Sequence, residues 1–113
     1  MRVDRQETEG VTVISVAEPI EVDIGNAEEF KAKALEAIGA AGRVVFDASR
    51  VEFFDSAGMA ALLSLQKRAS QQQGKIVIAG LRRPVQEIFR MVGFDVVFET
   101  FREVQEAIAA IKE

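Results

Sequence analysis

The sequence predicts an α/β fold in which about five strands form a mostly parallel mixed sheet, packed against about four helices. Two observations lead to this prediction. Runs of β-branched and other apolar residues, typical of strands, occur at residues 11–16, 43–47 and 75–79. Between and after these runs, apolar residues recur at helical spacing. Because strands and helices alternate along the chain, parallel strands with helices packed on the sheet are favoured.

The first part of the chain is predicted to supply a hairpin, an extended segment and a helix. Residues 2–7 alternate weakly and could pair with strand 11–16 across Glu9-Gly10. Residues 20–22 follow Pro19 as a short extended piece. Asn26 is predicted to cap the first helix, which ends near Ile38. The apolar stripe of that helix comprises Phe30, Ala34, Leu35 and Ile38.

The second part of the chain is predicted to form three more helices. One covers about residues 57–72, opened by Asp55-Ser56, and another begins at Pro84, which suits the first helical position. Residues 96–98 are predicted to form the last strand. The apolar residues assigned to these two helices are Met59, Leu62, Leu63, Leu65, Ala69, Val85, Ile88, Phe89 and Val92, and those of the C-terminal helix are Val104, Ala107, Ile108 and Ile111.

Length and composition indicate one domain over residues 1–113. The hydrophobic fraction of 49% provides a core, and the charged fraction of 28% provides a soluble surface. No apolar run approaches the roughly 20 residues of a membrane helix, and the polar segment 1–10 does not resemble a signal peptide. We therefore expect a soluble cytoplasmic protein without a membrane span, present as a monomer or weak dimer.

The absence of two residue types narrows the chemistry. Without cysteine there can be no disulfide, thiol nucleophile or thiolate metal site. Without histidine the chain lacks the usual general base and the commonest metal ligand. We expect no metal and no cofactor. The net charge of −4 also argues against direct nucleic-acid binding, since the basic pairs Lys67-Arg68 and Arg82-Arg83 are typical of solvated surface.

The turn Asp55-Ser56-Ala57-Gly58 is the most informative motif. In open α/β sheets, function concentrates in loops after the carboxyl ends of strands. The simplest interpretation of the turn is structural, because Asp and Ser are favoured helix caps and Gly is common in turns. Phe53 and Phe54, just before it, are expected to anchor the turn to the core. The polar or glycine candidates in these loops are Asp23, Asp47, Ser49, Asp55, Ser56 and Gly80.

An enzymatic role for Ser56 is disfavoured, so we predict that the protein is not an enzyme. A serine nucleophile needs a base to accept its proton. No motif links a lysine to Ser56, and no glycine-rich phosphate loop is present. Asp47 at a strand end is similar to the phosphoacceptor of receiver domains, but the early acidic pair and the late lysine of those domains are missing. We therefore reject that interpretation.

A phosphorylation switch is the third possibility for the turn. A phosphate on Ser56 would lie near unpaired backbone amides of the first helical turn and would add about −1.5 to −2 charges. Asp55 lies beside Ser56, and Asp23 would be close if its loop shares that edge. The amides would hold the phosphate, whereas the carboxylates would repel it. Such a site could keep its fold yet become unacceptable to a docking partner.

Taken together, the segments resemble the STAS domain of anti-sigma factor antagonists. The family's Asp-Ser-[Ser/Thr/Ala]-Gly-[Leu/Met] turn matches residues 55–59, after the matching runs 44–49 and 51–54. Downstream, the run 74–80, followed by Val85, Ile88, Phe89 and Val92-Gly93-Phe94, also fits the family's strand-helix pattern. The resemblance covers about residues 3–111 and implies the STAS fold.

The resemblance implies a binding module that acts in transcription regulation. In this subgroup an anti-sigma factor that is itself a serine kinase is bound, and a sigma factor is freed. The kinase phosphorylates the serine after the turn's aspartate, which abolishes binding, and a serine phosphatase resets the switch. By position, the phosphoacceptor is Ser56. The partner-binding residues are expected to be Asp23, Asp55, Ala57, Gly58 and Met59.

One departure from the family concerns the loop before the first helix. The family often has a Gly-x-Leu-Asp pattern where this chain has Ile20-Glu21-Val22-Asp23. The assignment of Asp23 is therefore supported by fewer matching residues than the assignment of Ser56. An alternative function is a non-phosphorylated STAS scaffold in a membrane transport or lipid-trafficking complex. The intact Asp55-Ser56 pair favours the sigma-regulator branch.

Overall fold

The computed structural model describes residues 1–112, in which a five-stranded sheet carries helices on both faces. The strands are β1 (Val3–Thr8), β2 (Val11–Val16), β3 (Ile20–Val22), β4 (Arg43–Asp47), β5 (Val51–Phe54), β6 (Lys75–Ala79) and β7 (Thr100–Phe101). The helices are α1 (Ala27–Ile38), α2 (Ser56–Gln71), α3 (Arg83–Val92), α4 (Phe94–Val97) and α5 (Val104–Ile111).

The main sheet has the strand order β1-β2-β4-β6-β7. β1 pairs antiparallel with β2, and the other three pairings are parallel. A two-residue turn at Glu9 and Gly10, both with positive φ, joins β1 to β2, as expected for a hairpin. The sheet is therefore the mostly parallel mixed sheet that the sequence predicted. β3 and β5 form a separate parallel pair, and this pair carries the turn at Ser56.

The core on one face of the sheet is built around phenylalanines contributed by different elements. Phe30 of α1, Phe46 of β4 and Phe54 of β5 have ring centroids 5.7–6.5 Å apart. Phe54 also lies 6.3 Å from Phe89 of α3. Such tilted and edge-on aromatic pairs contribute beyond their buried area. This cluster fixes β5, and with it the start of α2, against the sheet.

The other face of the sheet is covered by α5. Ala107, Ile108 and Ile111 pack against the alternate residues of the central strands, which include Val45 and Val77. Because α5 carries only eight residues, this second layer is smaller than the layer of α1, α2 and α3. The burial of both faces explains why β4 and β6 are almost continuously apolar.

The prediction of a strand at Val96–Phe98 was wrong. Gly93 ends α3 in the left-handed region at φ 81°, and a short fourth helix follows at once. Phe98 then becomes extended and buried beside Phe94 and Phe89, at 5.6 and 6.4 Å. The edge strand starts only at Thr100. The described chain consequently has five helices rather than about four.

Three residues assigned to the core by helical spacing or position are more exposed than expected. Val92 is 53% exposed, Leu63 41% and Phe53 39%. Val92 lies in the last turn of α3, and Phe53 points away from the core because successive residues of a strand face opposite sides. Phe54, the next residue of β5, is 1% exposed and is the anchor of the turn.

We predict that Phe54→Ala lowers the free energy of unfolding by about 3–5 kcal/mol, since it removes a ring from the centre of the cluster. The matched control is the neighbouring variant Phe53→Ala, which should cost about 1 kcal/mol or less because its ring is partly in solvent. Urea unfolding of both variants measures the difference. Equal costs would contradict the assigned orientation of β5.

Candidate functional site

The turn after β5 places Ser56 at the start of α2, with Asp55 as the N-cap residue. The Asp55 backbone is extended, at φ −88° and ψ −173°, and its Oδ1 accepts a hydrogen bond of 2.9 Å from the Gly58 amide. This satisfies one of the free amides of the first helical turn. Ser56 is exposed. The predicted cap is thus present, and the hydroxyl of the next residue faces solvent.

Asp55 also connects α2 to the loop between β3 and α1. Its Oδ2 accepts a hydrogen bond of 2.9 Å from the amide of Ile24, which lies 31 positions away in sequence. Its own amide donates to the Val22 carbonyl at 3.2 Å. One carboxylate therefore bridges two segments, and we call its bonds to Gly58 and Ile24 the Asp55 bridge.

The loop at Asp23 is held by its own side chains. Asp23 Oδ1 accepts from the Gly25 amide at 2.9 Å, and the Asp23 amide donates to Asn26 Oδ1 at 2.9 Å. Asn26 Nδ2 donates to the Glu21 carbonyl at 2.8 Å. Asn26 stands at the N-cap position of α1, but its side chain makes no capping bond to that helix. It closes the loop instead, which corrects the expected role of Asn26.

Gly58 allows α2 to approach the end of β3. A Cβ at this position would lie 2.4 Å from the Val22 carbonyl oxygen and 3.1 Å from a Phe54 ring carbon. Gly58 is buried, so it lies beneath the surface that Ser56 presents. Ala57 and Met59 are partly buried, and both pack against the core. The motif's glycine is therefore explained by packing.

The charge of Asp55 is stabilised by the bonds that the carboxylate accepts. The Gly58 amide, assisted by the Ile24 amide, holds the pKa of Asp55 below its usual range, although loss of hydration acts in the opposite direction. At neutral pH the residue is an anion beside Ser56. The helix dipole favours that anion at the start of α2.

The structure brings together only some of the candidates from the sequence. Asp23, Asp55 and Ser56 share one region through the Asp55 bridge. Asp47 and Ser49 form a separate turn at the end of β4, where Asp47 Oδ1 accepts from the Ser49 amide at 3.0 Å. Among residues 1–112, no group of three or more His, Cys, Asp or Glu side chains is placed to hold a metal ion.

Sequence reasoning missed Ile24. Its side chain is 83% exposed, directly beside the bridge that its amide completes. The available signal was an isoleucine placed between Asp23 and Gly25 in an otherwise polar loop.

Comparison with known proteins identifies the family. The model of the STAS domain matches residues 2–107. The chain belongs to the STAS domain family. A relative in Bordetella bronchiseptica, provisionally named anti-sigma factor antagonist BtrV, is 34% identical over 92 residues, which are 80% of this chain and 79% of that protein. The resemblance inferred from the turn and the surrounding strands is confirmed.

Solved structures share the fold of this STAS protein. An anti-sigma-factor antagonist domain protein from Planctomyces limnophilus is 26% identical, with a TM-score of 0.84 over 97% of both chains. The antagonist SpoIIAA in its unphosphorylated form is 21% identical, with a TM-score of 0.73 over 96% of this chain and 94% of that one. The murine anion transporter Slc26a9 is 22% identical, with a TM-score of 0.78 over 93% of this chain but 18% of the transporter.

No helix in residues 1–112 has the length and apolar character needed to cross a bilayer. The similarity to Slc26a9 covers 18% of that longer chain. At these identities, the likenesses to SpoIIAA and Slc26a9 establish a common fold and nothing more.

We predict that Asp55→Asn destabilises the protein at pH 7, since its Nδ2 group is a donor and would face the amide of either Gly58 or Ile24 in place of an accepting oxygen. The pKa of Asp55 is lower in the folded than in the unfolded state. Its ionised form therefore stabilises the fold above the ordinary value of 3.8, and this contribution is lost as the pH falls through the folded-state pKa. The difference in free energy of unfolding between the wild type and Asp55→Asn should therefore become smaller as the pH falls through that range.

Urea unfolding midpoints measured from pH 7 down to the acid range test this expectation. Asp95→Asn on α4 is the control, because Asp95 is exposed and lies in a different element. A gap for Asp55→Asn that stayed constant over the whole pH range would show that the charge of Asp55 does not support the turn.

Proposed function

We propose that this protein is an anti-sigma factor antagonist whose partner docks on the surface around Ser56, and that phosphorylation of Ser56 ends the interaction. The observation that carries the proposal is an exposed serine hydroxyl at the first position of α2, beside an aspartate that fixes both α2 and the Asp23 loop. In this proposal the bound anti-sigma factor releases its sigma factor.

The relatives support this function at the level of the family. BtrV and the Planctomyces limnophilus protein are both described as anti-sigma factor antagonists. We infer that the kinase is the anti-sigma factor itself and that a serine phosphatase restores the unmodified protein, as the family resemblance implies.

The geometry is suited to an electrostatic switch. Ser56 is exposed, so a phosphate can be added without disturbing the core. The phosphate would lie at the N-terminus of α2, where backbone amides and the helix dipole favour an anion. It would also add about −1.5 to −2 charges next to Asp55 and near Asp23. A partner that fits the unmodified surface would then meet a cluster of negative charge.

The surroundings of Ser56 favour binding over catalysis. Within residues 1–112 its hydroxyl has no hydrogen-bonded side chain that could act as a base, and the neighbouring carboxylate is already occupied by the Gly58 and Ile24 amides. A nucleophilic serine needs such a base. We therefore infer that Ser56 is a substrate for a kinase rather than a catalytic residue.

The kinase reaction tests the proposal directly. Each purified anti-sigma factor of the source organism that carries an ATPase domain is incubated with ATP and the wild-type protein, and the product is mapped by mass spectrometry. One phosphoryl group on Ser56 is expected. Ser56→Ala should stay unmodified, whereas Ser49→Ala, which changes another exposed serine, should be modified like wild type.

Modification of Ser56→Ala to the same extent would show that the acceptor is another residue. If none of these kinases modified the wild-type protein, the proposal would be overturned in favour of a non-phosphorylated STAS scaffold of a transport or lipid-trafficking complex.

Binding of the same anti-sigma factor should respond to charge at position 56. We predict that Ser56→Ala binds like wild type, because it removes the acceptor without adding charge. Ser56→Asp should bind about tenfold more weakly or worse, since like charges brought together at an interface are costly. Isothermal titration calorimetry measures both affinities. Equal binding of the two variants would contradict a docking surface at Ser56.

A further inference from the structure

Ile24 is an apolar side chain without a role in the folded core. It is 83% exposed in the loop between β3 and α1. An isoleucine gains about 1.5–3 kcal/mol when it is fully buried, and Ile24 gains almost none of this in the free protein. The side chain therefore offers binding energy to any partner that covers it.

The backbone under Ile24 is fixed before any partner arrives. The Ile24 amide donates to Asp55 Oδ2 at 2.9 Å, and the amide of Gly25 donates to Asp23 Oδ1 at 2.9 Å. Asn26 closes the loop through its bond with the Asp23 amide. A partner that binds Ile24 has little loop entropy to remove, and preorganisation of this kind favours affinity.

Ile24 is also linked, through Asp55, to the turn that carries Ser56. One oxygen of Asp55 holds the Ile24 amide and the other holds the Gly58 amide in the first turn of α2. The segments that carry the Ile24 side chain and the Ser56 hydroxyl are thus both held by the Asp55 carboxylate. A partner that reads Ser56 lies within reach of Ile24.

Polar and acidic side chains surround Ile24. Asp23 precedes it in the chain, Asp55 accepts a hydrogen bond from its amide, and Glu21 is exposed nearby in sequence, whereas Glu28 is paired with Lys31 at 3.3 Å. These polar groups form the rim of the surface from which Ile24 protrudes.

We propose that Ile24 is the apolar anchor of the Ser56 surface, and that it fills an apolar pocket on the anti-sigma factor. This inference rests on the proposed function and names the chemistry of its partner. A buried apolar residue at the centre of a polar rim is the usual form of an interface hot spot.

The variant Ile24→Ser tests the anchor. It should weaken binding of the purified anti-sigma factor that phosphorylates Ser56 by about ten- to hundredfold, which corresponds to loss of one buried aliphatic side chain. Because Ile24 is exposed, the melting temperature should stay at the wild-type value. Ile24→Leu should recover most of the affinity, since it restores an apolar side chain of equal size.

The matched control is Val96→Ser on α4, which removes an apolar side chain that is 87% exposed but lies outside the loop and α2. It should bind the anti-sigma factor with wild-type affinity. An equal loss in both variants would show a general effect of surface hydrophobicity and would overturn the anchor.

Calorimetric titration separates this inference from the proposed function. Suppose that unphosphorylated Ile24→Ser binds the anti-sigma factor with wild-type affinity, and that the kinase assay still shows modification at Ser56. The anchor is then wrong and the proposed function stands. If no anti-sigma factor of the source organism binds the wild-type protein, the proposed function and the anchor are both overturned.

Discussion

The carboxylate of Asp55 is the interaction on which the candidate site depends. Its two oxygens accept amide hydrogen bonds, both of 2.9 Å, from residues 3 and 31 positions away. The first bond starts α2, and the second joins α2 to the loop that carries Asp23 and Ile24. Gly58 makes this arrangement possible, because any side chain there would collide with the Val22 carbonyl. The N-cap residue of α2 therefore also holds the neighbouring loop in place.

The Asp55 bridge lies beside the exposed Ser56, and this arrangement suits the proposed control of partner binding by phosphorylation. The phenylalanine cluster around Phe54 holds β5 against the sheet. The Asp55 bridge then fixes the start of α2 and the Ile24 loop relative to β5. Ser56 itself makes no contribution to the core. A modification there can change the potential of the surface while the fold stays intact. The proposed switch therefore requires no large conformational change within the protein.

Much of the fold could be predicted because its signals are local. The β-branched runs at β2, β4 and β6 and the cap at Asp55 depend on neighbouring residues, and all of them are found in the structure. The region around Val96 could not be predicted this way. There a positive φ at Gly93 and burial of Phe98 outweighed the β propensity of two valines.

The candidate site could be predicted only in part. Asp55 and Ser56 were identified from the turn and from the family resemblance, and the structure places them as a cap and an exposed neighbour. The bond from Ile24 to Asp55 spans 31 positions, so no local pattern reveals it. Gly58 was expected among the partner-binding residues, yet it is buried by the close approach of α2 to β3. Long-range packing, which a sequence pattern does not encode, explains both differences.

The most direct test of the account is the affinity of one anti-sigma factor for the same protein before phosphorylation, after phosphorylation of Ser56 and after removal of the phosphate. Calorimetric titration at fixed salt is suitable, because the expected effect is electrostatic. The account predicts tight binding, loss of binding, and recovery to the starting affinity. Equal affinity in the first two states would contradict it, since the surface held by Asp55 would then not be the one that the partner reads.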